Sequence, residues 1–253
     1  MTDEEGKRRF FLALVIAAST IVGALLGWTL ADVLDDEEGP QGPDEQYQPV
    51  IDPGRFTNVV DNKFYPLAPG TKTVFEAQTD NGLEHTEVEV LNETRIIIGV
   101  TCVVVRDTVS VAGTVTEDTY DWYAQDLDGN VWYMGEDTKE YRDGQVVSTA
   151  GSWEAGVDGA MPGIVMLGDP EVGLSYHQEY YEGEAEDMAQ VVSRNESATV
   201  PYGAFQNLVM TVEWSPLEPG LVEHKYYTEG IGVVLELTVK GGSERVELVQ
   251  VTH

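Results

Sequence analysis

The stretch TYDWYAQDLDGNVWYMGE, residues 119–136, contains two aromatic-rich runs separated by turn-forming residues. In the first run, Tyr120 and Trp122 recur at the two-residue period of a β-strand and therefore share one face. Residues 126–130 supply Asp, Gly and Asn, which favour a reversal of the chain, and the returning run alternates again from Trp132. The stretch predicts a β-hairpin. A hairpin alone is marginal in water, so these large side chains must be buried against more sheet.

Strand-like runs lie on both sides of this hairpin. Residues 72–78 and 84–91 alternate around an Asp-Asn-Gly turn, which predicts a second hairpin. The β-branched run 95–111 is interrupted by Gly99 and predicts either one long bent strand or two shorter ones. Further strands are predicted at residues 174–181, 188–194, 205–214, 221–227, 233–239 and 246–251.

The rest of the pattern completes the fold prediction. Residues 152–173 are rich in Gly, Pro and Met, which predicts a long loop lying over one end of the sheet. No run after residue 31 has the period of a convincing amphipathic helix. The sequence therefore predicts an all-β fold, a curved antiparallel sheet or partly closed β-barrel, preceded by one N-terminal transmembrane helix.

The N-terminal region predicts a membrane anchor. Residues 10–31 carry no charge, and 22 residues at about 1.5 Å each are long enough to cross the hydrocarbon core. Basic residues at 7–9 precede the run and acidic residues at 32–38 follow it, so the positive-inside rule places residues 1–9 in the cytoplasm. The alternative is secretion after cleavage of a signal peptide near Ala31. A lipid-modified anchor is not expected, because no cysteine follows the apolar run.

The remaining chain divides into a tether and one domain. Residues 32–62 are acidic and contain Gly-Pro pairs with little to bury, which predicts a disordered tether. Residues 63–253 are then expected to form a single extracytoplasmic β domain.

Composition limits the partners. The chain has 45 acidic and 14 basic residues and a formal net charge of -31. Such a surface repels nucleic acid and anionic headgroups, so the expected partners are the membrane through residues 10–31, a small ligand or cations. The acidic shell is also typical of chains adapted to high salt. The single cysteine, Cys102, lies in an apolar run and is expected to be buried and inert.

Three motifs resemble those of a known group of proteins. They are FYPLAPG at 64–70, DWYAQD with GNVWY at 121–133, and YYTEGIGVV at 226–234. Together they resemble an uncharacterised family of secreted or membrane-tethered β-rich prokaryotic domains, over most of residues 64–251. The resemblance implies no activity. By analogy, the fold is similar to the curved sheets of lipoprotein-localisation and lipocalin-like proteins, which implies a concave face able to hold an apolar ligand.

The leading functional hypothesis is therefore a non-catalytic module that binds an apolar or amphipathic small ligand or acts as a surface scaffold, with no cofactor. A purely structural cell-surface subunit is an alternative. Large apolar and aromatic side chains on the predicted strands are the candidate ligand contacts, although such residues more often form core. The candidates are Trp122, Trp132, Trp153, Met161, Met166, Tyr180, Trp214 and Tyr226.

A metal site is the rival hypothesis. His177 and Glu179 share a strand face, and His224 lies on a later strand, so the three could bind a divalent metal ion if those strands meet. Such a site would indicate a metal-binding protein or a metal-dependent hydrolase. No nucleophile-elbow or phosphate-loop motif is present to suggest other enzyme chemistry.

Two short motifs match the acceptor pattern for N-linked glycosylation. They are Asn92-Glu93-Thr94 and Asn195-Glu196-Ser197. The pattern is common by chance, and the sequence alone does not say whether either asparagine carries a glycan.

Overall fold

The structure is a computed structural model that describes residues 47–253. These residues contain a 3-10 helix at Pro53–Arg55 and fifteen strands. The strands are β1 (Lys72–Thr79), β2 (Gly82–Ile97), β3 (Val100–Val111), β4 (Thr114–Gln125), β5 (Val131–Arg142), β6 (Gln145–Ser148), β7 (Trp153–Glu154), β8 (Met161–Met166), β9 (Ser175–His177), β10 (Glu179–Tyr180), β11 (Met188–Val200), β12 (Gly203–Trp214), β13 (Val222–Thr228), β14 (Gly232–Lys240) and β15 (Arg245–Thr252).

The strands form one large antiparallel sheet, which confirms the all-β prediction. Their order is β10-β8-β5-β4-β3-β2-β1-β15-β14-β13-β12-β11-β9, with β6 and β7 also paired to β5. Most neighbours are consecutive in the chain and joined by hairpins. The exception at the centre is the pair of β1 with β15, which joins the first and last strands and so connects the two halves of the sheet.

The sheet does not close, so the prediction of a partly closed barrel is corrected. Strand β9 pairs with β11 at one end of the sheet, and β10 pairs with β8 at the other end. Only Gln178 separates β9 from β10 along the chain. Because these strands have three and two residues and change partner at Gln178, neither is long enough to carry a continuous ladder across the gap.

The sheet curves around a common core. One cluster of buried side chains includes Tyr123 and Tyr133 from β4 and β5 together with Leu208 and Tyr227 from β12 and β13. These strands are far apart in the sheet order, so they contact one core only because the sheet bends back on itself. The alternation of side chains sends every second residue of each strand into this concave interior.

The predicted hairpins are present. Residues 119–136 lie in β4 and β5 and in the turn between them. In that turn the Asp126 carboxylate accepts hydrogen bonds from the backbone N–H groups of Asp128 and Asn130, each at 2.9 Å, which fixes the reversal. The run 95–111 forms two strands rather than one, because the chain reverses at Ile98 and Gly99, which both have positive φ.

The predicted loop at residues 152–173 is instead partly strand. It contains β7 and β8, which both pair with β5. Gly163 is required where two backbone segments approach closely, because a Cβ on this residue would overlap the main chain at Gln178 and Glu179. A Gly-rich composition therefore indicates tight strand packing here, not an irregular flap.

Part of the segment assigned to the tether is packed against the sheet. The Asn62 side chain accepts from the backbone of Phe64 at 2.8 Å and donates to the carbonyls of Gly129 at 2.8 Å and Leu167 at 3.0 Å. Tyr47 donates its hydroxyl to the Pro162 carbonyl at 2.9 Å. Val60 and Phe56 add apolar contacts with the core, so residues 47–62 contact the sheet through both polar and apolar side chains.

Two predictions fall outside the described residues. These are the membrane anchor at residues 10–31 and the first half of the tether, residues 32–46. Between residues 47 and 253, no helix is long and apolar enough to span a bilayer.

The contact between β8 and β10 gives a test of the packing. We expect Gly163→Ala to lower the free energy of unfolding by about 2–3 kcal/mol, because the obstacle is backbone and cannot rotate away. The measurement is a urea titration followed by tryptophan fluorescence. Gly203→Ala is the matched control, since a Cβ there meets open space. Equal unfolding midpoints for the two variants would contradict this account of the packing.

Candidate functional site

A buried ion cluster lies on the concave face of β12, β13 and β14. The register places Lys225 opposite Thr211 on one side and Glu236 on the other. The Lys225 ammonium lies 2.9 Å from the Glu213 carboxylate and 3.6 Å from that of Glu236. All three side chains are almost fully buried, at 3–5% exposure. This is a desolvated salt bridge, which is stable only when its remaining polar atoms are also satisfied.

Hydrogen bonds complete the surroundings of Glu213. Its Oε1 accepts from the Thr211 hydroxyl at 2.7 Å and from the Tyr227 hydroxyl at 3.0 Å. Glu223, directly opposite Glu213 in the ladder, accepts from Thr238 at 3.4 Å. Two neutral donors and one ammonium therefore surround Glu213.

The charge of Lys225 is set by these neighbours. Burial alone would lower its pKa, but the carboxylates of Glu213, Glu236 and Glu223 outweigh this effect and raise the pKa. Lys225 is therefore a fixed cation and not an amine nucleophile. Burial also raises the pKa of Glu236 well above its usual range, although Lys225 opposes that shift.

A small cavity adjoins this cluster. Its volume is about 10 Å³, which is room for about one water molecule. Its lining includes Gln178, Asp187, Ser215 and Lys225. Burial raises the pKa of Asp187 to about 7, while Ser215 and Lys225 pull it in the opposite direction.

A second set of buried acids lies across the interior, on β4, β5 and β10. Asp121 is opposite Glu136 in the ladder and accepts from the Tyr133 hydroxyl at 2.9 Å. Glu179 accepts from the indole N–H of Trp153 at 3.0 Å. Burial raises the pKa of Asp121 to about 7 and the pKa values of Glu136 and Glu179 well above their usual range. No buried base lies among these acids in the part of the chain described, so protonation neutralises them.

Asp107 on β3 extends this set. Both of its carboxylate oxygens are buried without a hydrogen-bond partner among the described residues. Burial, followed by repulsion from Asp121, raises its pKa well above the usual range. Asp107 is therefore held as a neutral carboxylic acid.

This arrangement can hold protons and one fixed cation, but it offers no surface for a substrate. The acids and Lys225 are all below 9% exposure. A general acid or base must come within hydrogen-bonding distance of its substrate. The cluster is therefore best described as an internal polar network.

The predicted ligand contacts do not converge on one cavity. Trp122 is buried beneath the guanidinium of Arg95, whose central carbon lies 4.0 Å from the ring centre. Trp153 and Met166 are buried in the interior, and the indole N–H of Trp153 donates a hydrogen bond to Glu179. Trp132 donates to Asp126 at 2.8 Å on the hairpin turn. These four side chains serve packing or hydrogen bonding.

The other four candidates lie elsewhere. Met161 and Tyr180 face each other in the β8–β10 ladder. Trp214 contributes to the lining of the small polar cavity. Tyr226 is half-buried on β13, on the face opposite Lys225.

The predicted metal ligands are also on separate elements. His177 packs against Tyr47, with ring centres 4.3 Å apart. Glu179 points into the interior, toward Trp153. His224 lies on β13, which is separated from β9 by β12 and β11, and it is next to Lys225 in sequence. Among residues 47–253, no group of three or more His, Cys, Asp or Glu side chains is arranged to hold a metal ion.

A second cavity is apolar. It has a volume of about 40 Å³, enough for a few water molecules or a small apolar group. Its lining includes Tyr65, Leu67, Phe75, Val88, Val90 and Ile231.

Sequence reasoning missed the polar network because its members look like solvent-facing residues. In β13, Glu223 and Lys225 alternate with His224 and Tyr226, which suggests the wrong buried face. One feature of the sequence did point to this network. Glu213, Lys225 and Glu236 lie on three successive predicted strands, and opposite charges on neighbouring strands are a recognised cross-strand pairing.

The raised pKa values predict that stability falls as pH rises. Between about pH 4 and 7 the folded protein keeps protons that the unfolded chain has released, so the free energy of unfolding declines over this range. Each such proton contributes at most about 1.4 kcal/mol per pH unit. We expect a lower urea midpoint at pH 8 than at pH 5, and a shallower decline in the double variant Asp121→Asn, Asp187→Asn.

The control removes the same charge from the surface. Asp143 and Asp158 are exposed turn residues, so Asp143→Asn, Asp158→Asn should keep the wild-type slope. A midpoint that is flat or rises from pH 5 to 8, or a full slope in the Asp121, Asp187 variant, would overturn the protonated-interior model.

Removing the buried cation gives a second prediction. Lys225→Met should lower the free energy of unfolding at pH 8 by about 3–5 kcal/mol, because it leaves Glu213 buried without its partner. The loss should be smaller at pH 5, where the carboxylates can be protonated instead. Lys72→Met is the control: the pair with Glu87 is partly exposed, so we expect less than about 1 kcal/mol. Similar losses for both variants would count against the network.

Comparisons with known proteins identify no family. No family model matches the chain, and no curated protein matches it. A solved structure described as a "putative lipoprotein" from Parabacteroides distasonis ATCC 8503 aligns with a TM-score of 0.41 and 12% sequence identity, over 76% of this chain and 100% of that one. A TM-score below 0.5 does not establish a common fold, so the conclusions about this chain rest on its own residues.

Proposed function

We propose that this chain is a non-catalytic β module, held at the membrane by residues 10–31 and presented outside it as a surface scaffold. The observation that carries the proposal is the internal closure of the polar network. Lys225 and its carboxylate partners contact one another and are shielded from solvent. The buried acids and Lys225 therefore face the interior, and contacts with other molecules are left to the outer surface.

The outer surface supports a spacing role. Many of its basic side chains are already paired with acids, for example Arg106 with Asp118 at 2.7 Å and Arg194 with Asp169 at 3.0 Å. With 45 acidic residues against 14 basic ones, the surface keeps a large negative excess. Such a surface stays hydrated, attracts cations and repels other acidic surfaces.

The outward orientation is supported by the flanks of the apolar run. Lys7, Arg8 and Arg9 precede it and five acidic residues follow by position 38. The same charge asymmetry applies whether residues 10–31 remain as an anchor or are cleaved as a signal, so it supports an extracytoplasmic domain in either case.

A second candidate is the binding of a small apolar ligand. The cavity of about 40 Å³ beside Tyr65 and Phe75 favours it. The two functions differ in what the purified protein carries. A retained small molecule in native mass spectrometry, lost when Val88→Trp fills the cavity, would favour ligand binding over the scaffold.

Orientation is tested by labelling the full chain in intact cells. Gln145→Cys places a thiol on the exposed β5–β6 hairpin, and a membrane-impermeant maleimide should label it. Thr2→Cys, on the predicted cytoplasmic side, should be labelled only after lysis. The native Cys102 is fully buried and gives a low background. Labelling of the Thr2 variant but not the Gln145 variant in intact cells would overturn the proposed function.

A further inference from the structure

The asparagine of the first acceptor motif lies on a bulge of β2. Val90 pairs with Val105 and Thr94 pairs with Val103, so residues 91–93 lie opposite Val104 alone. Asn92 is the middle residue of this bulge and is exposed. At Asn92 the strand is therefore not paired with its neighbour, and a modifying enzyme would have access to the asparagine side chain.

The second motif has the same setting. Ser193 pairs with Met210 and Glu196 with Leu208, so Arg194 and Asn195 lie opposite Val209 alone. Asn195 is also exposed. Its backbone N–H donates to the Ser193 hydroxyl at 3.3 Å, and its side-chain amide makes no hydrogen bond within residues 47–253.

Asn62, Asn130 and Asn207 have evident structural roles, whereas Asn58 and Asn81 are exposed surface residues. The Asn130 side chain donates to Asp126 at 2.9 Å and accepts from the backbone of Gly168 at 2.9 Å. Asn207 has a φ of 58°, a conformation that asparagine tolerates better than most residues. Asn92 and Asn195 have negative φ, and within residues 47–253 their side chains make no hydrogen bond. Neither packing nor backbone conformation explains asparagine at these two bulges.

The third residue of each motif is equally accessible. Thr94 and Ser197 are exposed, and their hydroxyls have no hydrogen-bond partner in the described part of the chain. Acceptor recognition requires the asparagine amide and this hydroxyl together, on a surface segment. Both motifs meet the requirement in full.

We propose that Asn92 and Asn195 are N-linked glycosylation sites, an inference that rests on the outward placement proposed above. The donor class is an oligosaccharide linked to a membrane lipid through phosphate. A bond forms between Nδ2 of the asparagine and the anomeric carbon, the bond from that carbon to the phosphate oxygen breaks, and Nδ2 loses one proton. The leaving group is the lipid phosphate.

The bulges explain how the sheet accommodates the sugar. The backbone groups of residues 92 and 195 lie outside the ladder pairings, so an attached glycan displaces no inter-strand pair. It would add neutral, hydrated groups to the surface of a chain with 45 acidic residues.

The test is peptide mapping by mass spectrometry of the full chain, purified from the organism that encodes it. We expect a glycan mass on each of the two peptides. Asn92→Gln and Thr94→Ala should each abolish the first, and Asn195→Gln and Ser197→Ala the second. Asn81→Gln is the control, because Asn81 is exposed but is not followed by the acceptor pattern.

The outcomes separate this inference from the proposed function. Unmodified peptides from a chain whose Gln145→Cys variant is labelled outside would overturn the glycan sites and leave the orientation intact. Unmodified peptides with inward labelling would overturn both. A glycan on one peptide alone would support that site and overturn the other.

Discussion

The positive charge of Lys225 is the constraint on which the concave interior depends. Among residues 47–253 it is the buried base, and it faces glutamates from the strands on either side of its own. Burying an uncompensated carboxylate is costly, and this ammonium offsets that cost where β12, β13 and β14 bring their glutamates together. The register of these three strands places the ammonium beside the carboxylates that need it.

The two halves of the interior accommodate buried carboxyl groups in different ways. Near Lys225, a cation and hydroxyl donors compensate the charge of Glu213. Near Asp121, no base is present among the described residues, and burial raises the pKa values of the acids, which favours their protonated forms. On the exterior, water solvates the charged side chains. The protein thus combines a highly charged surface with an interior close to neutral.

The sequence predicted those features that depend on local pattern. Residues 119–136 showed a hairpin because the aromatic period and the Asp-Leu-Asp-Gly-Asn turn are both local. The inward direction of Glu223 and Lys225 was not predictable in that way, because it depends on pairing with β12 and β14. Residues 152–173 were misjudged for a related reason. Gly163 looked like a loop residue, but it is required by the close approach of Gln178, which is distant in sequence. The candidate ligand contacts lie at separate places in the sheet, so their common role stays a prediction.

The position of Tyr47 relates the N-terminal part of the domain to the open edge of the sheet. Its hydroxyl donates to the carbonyl of Pro162 on β8, and its ring packs on His177 of β9 and Tyr180 of β10. Strand β9 pairs with β11 and β10 pairs with β8, so this one side chain contacts strands from both ends of the sheet. A segment that precedes the first strand in sequence thus bridges the two ends at the point where the strand ladder does not continue.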